Sequence, residues 1–222
     1  MANSSEVDRD TINLRSQTIW SPAMKLYMTE MSGNSFKIRV LAAMLNVEYE
    51  NIRIDWENRE HKSAAYLELN PRGQVPVMEI EDKVFWDSTA HLVYIARKFG
   101  GETWLPTDPL EMAEVMQWMA FAQNEVLCGL QWARGVTVYK RRPESFEGYL
   151  QDGERALNIL EAQILRTGDW LALGRATLAD IACYPYVKRA PEGNLPLDSY
   201  PHVKSWLARC EALPGWIEID PQ

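Results

Sequence analysis

Pro76 stands between two apolar residues, Val75 and Val77, in a segment that otherwise predicts a strand. Because proline has no N–H to donate to a neighbouring strand, a regular central strand cannot run through this position. A cis peptide bond between Val75 and Pro76 would resolve the conflict by turning the chain sharply at the strand entrance. The turn would leave the N–H and C=O of Val75 free to pair with an extended peptide. The alternative is an ordinary strand start.

A short distance further on, Asp87 and Ser88 open an amphipathic helix. Free N–H groups at a helix N-terminus bind anions, a serine hydroxyl adds a donor, and an aspartate attracts an ammonium group. Taken alone, this feature would be an ordinary capped helix. In this order, the two features together predict a site for one small zwitterionic ligand.

The run NPRGQVPV (residues 70–77) followed by WDSTAHLVYIA (residues 86–96) resembles the glutathione-binding half of the cytosolic glutathione transferases. The resemblance extends from Met24 to about Ile217. In that family, the valine before a cis proline pairs with the glutathione backbone, and an acidic residue and a serine at a helix start hold the γ-glutamyl end. Gln74 and His61, or Lys62 in place of His61, would take the glycine carboxylate. The resemblance therefore implies six glutathione-binding residues: Val75, Pro76, Asp87, Ser88, Gln74 and His61.

The order of the predicted elements indicates an α+β chain of two domains. Residues 24–101 predict the order β-α-β-α-β-β-α, which is that of a thioredoxin-like domain. Residues 102–107 are expected to be a linker, and residues 108–222 predict an all-helical bundle domain. The polar residues 1–23 are expected to be a flexible extension, with the pattern of neither a signal nor a transit peptide.

Apolar periodicity and turn residues place the individual elements. Strands are predicted at residues 25–28, 47–54, 77–80 and 84–86. Helices of the first domain are predicted at residues 35–45, 62–69 and 88–99. Helices of the second domain are predicted at residues 108–133, at 143–165, from 177 onward and at 200–213. The run from Thr177 to Asp180 resembles the capping box of the family's central helix.

Composition limits the functions of the chain. A net charge of −8 argues against a nucleic-acid partner and against docking on anionic lipid. No apolar run approaches the roughly 20 residues that span a bilayer. The three cysteines and three histidines are scattered, so neither a disulfide framework nor a metal site is predicted. A reducing cytoplasm fits this composition best.

The chemistry that the resemblance implies requires the glutathione thiol to ionise near neutral pH, against a reference pKa of about 8.5. Lowering that pKa by about two units requires about 2.7 kcal/mol of preference for the thiolate. One or two hydrogen-bond donors and a helix N-terminus can supply this preference. The donors must lie opposite Val75, in the loop after the first strand, at residues 31–37.

Ser32 and Asn34 are the candidate catalytic residues, because the run S-x-N-S-F-K-I-R resembles the serine-type and asparagine-type branches of the family. We expect Ser32 to be the main hydroxyl donor to the thiolate and Asn34 to be the second donor. Tyr27, on the first strand, is an alternative. No cysteine precedes Cys128, which disfavours the cysteine-dependent branches. The structural alternative is that Asn34 or Ser35 simply caps the following helix.

The pocket for the electrophile is expected between this loop and the first long helices of the second domain. Four aromatic residues are candidates for its wall: Trp118, Phe121, Trp132 and Tyr139. Aromatic residues at helical spacing also occur in cores, which is the alternative interpretation. The basic run at residues 140–142 either attracts an acidic substrate or is a solvated turn, and Arg72 is expected to face solvent.

The sequence therefore predicts a glutathione transferase that conjugates the glutathione thiolate to small hydrophobic electrophiles. One alternative keeps the site but changes the reaction to disulfide reduction or to cis–trans isomerisation of the maleylacetoacetate type. Another is a non-catalytic binding or assembly module. Glutathione is the expected co-substrate, and neither a metal nor a membrane partner is expected. The resemblance further implies a homodimer in which Gln123 or Asn124 reaches the neighbouring site.

Overall fold

A four-stranded mixed sheet forms the centre of the N-terminal half, in the order β2-β1-β3-β4. The computed structural model describes residues 24–219, so the expected extension at residues 1–23 lies outside it. The four strands are β1 (Lys25–Met28), β2 (Glu50–Arg53), β3 (Val77–Ile80) and β4 (Lys83–Trp86). β1 pairs in parallel with β2 and antiparallel with β3, and β3 pairs antiparallel with β4. The sheet confirms the predicted α+β class.

β1 is one of the two inner strands of the sheet, and its side chains alternate between the core and the surface. Leu26 and Met28 are fully buried, while Lys25 and Tyr27 are partly exposed. β2 is shorter than the predicted 47–54. The N–H of Val47 donates to the carbonyl of Ala42 at 2.8 Å, so this residue belongs to the turn after the preceding helix.

Three helices accompany the sheet, namely α1 (Gly33–Met44), α2 (Ala64–Leu69) and α3 (Ser88–Phe99). α1 begins two residues before the predicted start because the side chain of Ser32 accepts the N–H of Ser35 and caps the helix. Its end is marked by Asn46, whose φ of 53° is in the left-handed region. α3 has the predicted bounds.

The C-terminal half is helical, as predicted. Its α-helices are α4 (Pro109–Phe121), α5 (Trp132–Tyr139), α6 (Phe146–Thr167), α7 (Leu178–Lys188) and α8 (Pro201–Glu211). A π-helical stretch, Ala122–Gln131, joins α4 to α5 without a break, so the first long helix passes its predicted end at residue 133. A side chain on Gly129 would lie 2.4 Å from the Gly153 nitrogen. These two glycines therefore allow α6 to pack closely against the π-helical stretch.

The predicted capping box at the start of α7 is present, and it is part of a buried polar network. Asp180 accepts hydrogen bonds from the N–H of Thr177 at 2.9 Å and from the N–H of Leu171 at 3.2 Å. The indole N–H of Trp206 donates to the same carboxylate at 2.9 Å. Asp180 is fully buried, so its contacts tie α7 and α8 together inside the core.

One hydrophobic core runs through both halves of the described chain. The ring of Phe36 on α1 stacks on Tyr184 of α7, with ring centres 5.9 Å apart. This packing holds the N-terminal end of α1 beside the helical half and leaves a crevice between them. Within residues 24–219, none of the helices combines the length and the apolar character that crossing a membrane requires.

Candidate functional site

A cavity of about 820 Å³ lies in this crevice. One wall consists of the loops after β1 and β2, the segment before β3 and the start of α3. The opposite wall consists of the π-helical stretch, α5 and Tyr186 of α7. Seven of the predicted catalytic and glutathione-binding residues line the cavity, namely Ser32, Asn34, Gln74, Val75, Pro76, Asp87 and Ser88.

The peptide bond between Val75 and Pro76 is cis, as predicted. Hydrogen bonds fix the loop in front of it, because the carbonyl of Gln74 accepts from Tyr66 Oη at 2.9 Å and from Asn70 Nδ2 at 2.7 Å. Among residues 24–219, the main chain of Val75 makes no hydrogen bond. Val75 itself lines the cavity, so its N–H and C=O are available to pair with an extended ligand.

Asp87 caps α3 from an uncommon backbone conformation, with a φ of 85°. Its Oδ1 accepts the Thr89 N–H at 2.9 Å, and its Oδ2 accepts from Arg72 Nη1 at 3.0 Å. Burial alone would raise the pKa of Asp87, but the Thr89 N–H and the Arg72 guanidinium outweigh burial and hold that pKa below its ordinary value. The site therefore contains a charged carboxylate at neutral pH.

Two residues with expected roles contact Asp87 in the structure. Arg72 is exposed, as expected, and it also pairs with Asp87, with its guanidinium 5.5 Å from the centre of the Trp86 ring. Gln123, which together with Asn124 was expected to reach a neighbouring site, contacts the site of its own chain. Its Nε2 donates to Asp87 Oδ1 of its own chain at 2.8 Å and also to Thr89 Oγ1.

Ser32 and Asn34 lie at the N-terminal end of α1, on the cavity wall. Ser32 is the cap, with its Oγ 3.1 Å from the Ser35 nitrogen, so the capping role falls on neither Asn34 nor Ser35. Accepting this bond uses a lone pair of the Ser32 oxygen and leaves the hydroxyl proton for another acceptor. Asn34 Oδ1 accepts from Ser88 Oγ at 3.4 Å, which connects the loop to the start of α3.

Gly33, between these two residues, is required by the close approach of α7. A Cβ at this position would lie 2.9 Å from ring atoms of Tyr186, which is itself on the cavity wall. Burial raises the pKa of Tyr186 to about 12, so the phenol is neutral in the physiological range. The sequence analysis missed this residue because it lies more than a hundred positions away from the loop.

Tyr27 lies away from the cavity. Its hydroxyl donates to Glu79 Oε2 at 2.8 Å, and Lys25 binds the same carboxylate at 3.0 Å. Tyr27 is not part of the cavity wall. The alternative assignment of the thiolate donor to Tyr27 has therefore no support from the geometry.

Comparisons with known proteins identify the family of this chain. Residues 22–97 match the family model of the glutathione S-transferase N-terminal domain, and residues 138–214 match that of the C-terminal domain. The chain belongs to the glutathione S-transferase family. Among relatives of this family, a probable glutathione S-transferase of Oryza sativa subsp. japonica is 29% identical over 203 residues, which are 86% of this chain and 93% of the relative.

Solved structures of glutathione transferases superpose on most of the chain. A possible glutathione S-transferase from Rhodopseudomonas palustris is 33% identical with a TM-score of 0.82, and the match covers 90% of this chain and 98% of that one. A glutathione transferase of Phanerochaete chrysosporium in complex with oxidized glutathione is 25% identical with a TM-score of 0.77. That match covers 86% of this chain and 92% of the other. Structural neighbours in this transferase family thus bind glutathione.

A second cavity, of about 440 Å³, adjoins the first, and Gln74 lines both. His61 lines only the second cavity, where its ring stacks on Trp56 with centres 3.7 Å apart. Burial lowers the pKa of His61, and the nearby charges of Lys62 and Arg141 lower it further. A neutral His61 supplies no charge for a carboxylate at pH 7. Arg59, Lys62 and Arg141 are the cations that line this second cavity together with Gln74.

Of the four aromatic residues expected at the electrophile pocket, Trp132 and Tyr139 line the large cavity. Trp118 and Phe121 do not. They are buried in the core with their ring centres 5.1 Å apart. The alternative interpretation as core residues holds for this pair, and we remove Trp118 and Phe121 from the candidate site.

A buried arginine on α5 was missed by the sequence analysis. Arg134 is 3% exposed and lines the cavity, with its Nε bonded to Glu192 and its Nη1 3.2 Å from Tyr139 Oη. A signal was present, since Arg134 follows the buried Leu130 by four positions and therefore lies on an apolar helix face. A charge on such a face needs a structural or functional reason.

The described part of the chain holds no group of three or more His, Cys, Asp or Glu side chains that could bind a metal ion. Cys183 and Cys210 are buried, and Cys128 is partly exposed. Burial raises the pKa of the Cys210 thiol well above its ordinary value, so this thiol is not a nucleophile near neutral pH.

Proposed function

We propose that this member of the glutathione S-transferase family conjugates glutathione to small hydrophobic electrophiles, with Ser32 as the main donor to the thiolate. The observation that carries the proposal is the convergence of Ser32, Val75 and the Asp87-Ser88 helix start on one cavity. The same cavity continues along the partly aromatic wall of the helical half, which gives a second reactant a place beside the first.

In the proposed complex, glutathione lies extended along the sheet side of the cavity. Its backbone pairs with the main chain of Val75 next to Pro76. Its γ-glutamyl carboxylate lies at the N-terminal N–H groups of α3 and the Ser88 hydroxyl. Three donors, from Thr89, Arg72 and Gln123, already bind the Asp87 carboxylate. Because a carboxylate accepts about four hydrogen bonds, one position remains for the ammonium group.

The glycine carboxylate of glutathione would lie where the two cavities meet. Gln74 lines both cavities there, and His61 lies next to it. Lys62 donates from Nζ to the carbonyls of Arg72 and Gly73 at 3.2 and 2.8 Å, which uses two of its three N–H donors. In this arrangement Lys62 supplies the positive charge that binds the carboxylate. The neutral His61 forms part of the cavity wall, where it stacks on Trp56.

The thiol is then placed at the N-terminal end of α1. The Ser32 hydroxyl donates a hydrogen bond to the sulfur. The Nδ2 group of Asn34 is a second donor, and the Ser88 hydroxyl turns from Asn34 Oδ1 to the carboxylate of glutathione when the ligand binds. Both donors and the partial positive charge of the helix N-terminus favour the thiolate. The thiol proton leaves to solvent, the sulfur forms a bond to the electrophilic carbon, and the leaving group departs with its electron pair.

The same site supports the alternatives of disulfide reduction and isomerisation, and also binding without turnover. Family membership makes the transferase reaction the first choice. We further propose a twofold homodimer in the cytoplasm, with each Gln123 completing the site of its own chain.

The experiment that tests the proposal is a titration of the purified protein with glutathione, combined with conjugation of a generic aromatic halide. Binding together with turnover supports the transferase. Binding without turnover of the halide, but with turnover of a glutathione mixed disulfide or of a cis-olefin, supports one of the alternative reactions. Binding without any turnover supports the binding module, and absence of binding contradicts the proposal.

A further inference from the structure

The large cavity contains a buried cation whose hydrogen bonds are incomplete. Arg134 reaches Glu192 through Nε and Tyr139 through Nη1, but its buried Nη2 has no hydrogen-bond partner among the described residues. A guanidinium carries five N–H donors in a planar fork, which matches a carboxylate. Leaving such a donor buried and unpaired is costly, so an acceptor that bound at Nη2 would gain a strong hydrogen bond.

Glu192, the carboxylate that binds Arg134, also contacts a second buried arginine. Arg189 is 3% exposed, and its Nε lies 3.6 Å from Glu192. Glu192 is therefore not reserved for Arg134, and its contact with Nε leaves the Arg134 Nη2 group without an acceptor.

The other carboxylates on the cavity wall have local partners or lie in solvent. Asp87 is paired with Arg72, and Asp55 accepts from Asn58 at 2.9 and 2.7 Å. The remaining two are Glu30, which lies 3.4 Å from Arg53, and Glu57, which is exposed. None of these contacts joins a wall carboxylate to Arg134.

Glutathione, placed as proposed above, does not supply the missing anion. Its γ-glutamyl carboxylate belongs at Ser88, and its glycine carboxylate belongs at the second cavity. That second cavity is lined by Lys62, Gln74 and Arg141 but not by Arg134. The anion opposite Arg134 must then come from the second reactant.

Aromatic residues line the same cavity as Arg134. Trp132 and Tyr139 line the cavity on either side of Arg134 in the sequence. The Arg141 guanidinium lies 5.2 Å from the centre of the Tyr139 ring and 5.3 Å from that of Trp56. A flat aromatic body and a single carboxylate would thus be recognised together.

We propose that the electrophile of this transferase is an aromatic compound with a carboxylate group, which Arg134 and the Tyr139 hydroxyl bind inside the cavity. The inference rests on the proposed function, and it changes the substrate class from neutral hydrophobic compounds to organic acids. It gives Arg134 the role of a specificity residue.

The first test is binding without reaction. The glutathione-saturated protein is titrated calorimetrically with 3-nitrobenzoate and with its neutral counterpart 3-nitrobenzamide, neither of which has a leaving group. We expect the acid to bind at least about tenfold more tightly than the amide, as for a charge-assisted hydrogen bond. In Arg134→Met this preference should disappear. Equal affinity of the two compounds for the unchanged protein would overturn the inference.

Two variants serve as controls for charge and for folding. Arg142 is exposed, lies over the Trp132 ring at 4.7 Å and does not itself line the cavity, so Arg142→Met removes one nearby charge without removing a residue of the cavity wall. Its preference for the acid should remain. Glu192→Gln breaks the ion pair of Arg134 but keeps the guanidinium, so its preference should be retained or increased. Loss of preference in both controls would assign the effect to overall charge or to packing, and would overturn the inference.

The second test separates this inference from the proposed function. Conjugation of 4-chloro-3-nitrobenzoate is compared with that of 4-chloro-3-nitrobenzamide, each relative to its uncatalysed rate. In both, a C–S bond forms, chloride leaves with the C–Cl electron pair, and the thiol proton passes to the buffer. A larger acceleration for the acid, lost in Arg134→Met, supports the substrate class. Equal acceleration of both overturns it while the transferase function stands. If neither compound reacts but the binding preference is found, the conjugation reaction is wrong and the anion subsite stands.

Discussion

The substitution Ser32→Ala separates two roles of one hydroxyl group. The Ser32 oxygen caps α1 by accepting the Ser35 N–H at 3.1 Å, and the Ser32 proton is the proposed donor to the thiolate. Loss of a serine cap costs about 1 kcal/mol of stability. Loss of a hydrogen bond to a charged sulfur costs about 1.5–3 kcal/mol, which corresponds to a rise of about one to two units in the pKa of the bound thiol.

The assay is the pH dependence of kcat/KM for conjugation of an aromatic halide. At about pH 6.5, where a shifted thiol is half ionised, the alanine variant should be about five- to fiftyfold slower than the unchanged protein. At about pH 9 the rates should converge, because even an unshifted thiol is then mostly ionised. The affinity for glutathione should change little, since Val75, Asp87 and Ser88 are untouched.

Ser63 provides a matched control elsewhere in the same half. Its side chain caps α2 by accepting the Tyr66 N–H at 3.2 Å, and it does not line the cavity. Ser63→Ala should therefore lose about the same stability in urea unfolding, about 1 kcal/mol, without any change in the pH profile. An unaltered pH profile in Ser32→Ala would refute the donor role and transfer it to Asn34. An equal loss of activity in Ser32→Ala and Ser63→Ala would show that the loss comes from lower stability and not from a missing donor to the thiolate.

Three further predictions concern the fold around the site. Burial lowers the pKa of Lys37 to about 8, so the unfolded chain binds more protons between about pH 8 and 10.5 and stability rises with pH there. Lys37→Met should remove this rise and add up to about 3 kcal/mol at pH 7, measured by urea unfolding. Asp180→Ala removes the acceptor of four buried donors, including the Trp206 indole, and should cost about 3 kcal/mol or more in the same assay. Gly33→Ala should displace Tyr186 and cost about 1–3 kcal/mol with a raised KM for the electrophile.

Each of these predictions has an outcome that contradicts it. A Lys37→Met variant with the same pH dependence of stability as the unchanged protein would show that this lysine does not titrate in that window. Full stability of Asp180→Ala would show that its hydrogen bonds are replaced by solvent. For Gly33, the control is Gly148→Ala, because Gly148 is an α6 position with open space around it and should gain up to about 1 kcal/mol. Equal behaviour of the two alanine variants would contradict the close approach of Tyr186.

The features of the site that the sequence predicted are those set by local chemistry. A proline between valines has few conformations available, and the structure contains the predicted cis bond between Val75 and Pro76. Asp87 and Ser88 likewise open α3 at the predicted residue. The contacts that the sequence analysis missed are long-range. Gln123 meets Asp87 from 36 positions away, and no local pattern predicts such a pair.

Two of the four aromatic residues predicted to line the pocket lie in the core instead, and helix geometry explains the difference. Trp118 and Trp132 are fourteen residues apart, and in a continuous α-helix they would lie within about 40° of the same face. The stretch between them is π-helical, with wider turns of i to i+5 hydrogen bonds. The face presented to the cavity therefore changes along this helix, so that Trp118 packs in the core and Trp132 lines the wall. Periodicity analysis assumes a constant turn and cannot detect this change.

The central claim is that this cavity binds glutathione as a thiolate. The most direct measurement follows the ultraviolet absorbance of the thiolate during a pH titration of the protein saturated with glutathione. The account predicts a bound thiol with a pKa about two units below its reference of about 8.5. A bound thiol that titrates at its reference value would contradict the role of Ser32 and Asn34, and a protein that does not bind glutathione would contradict the site itself.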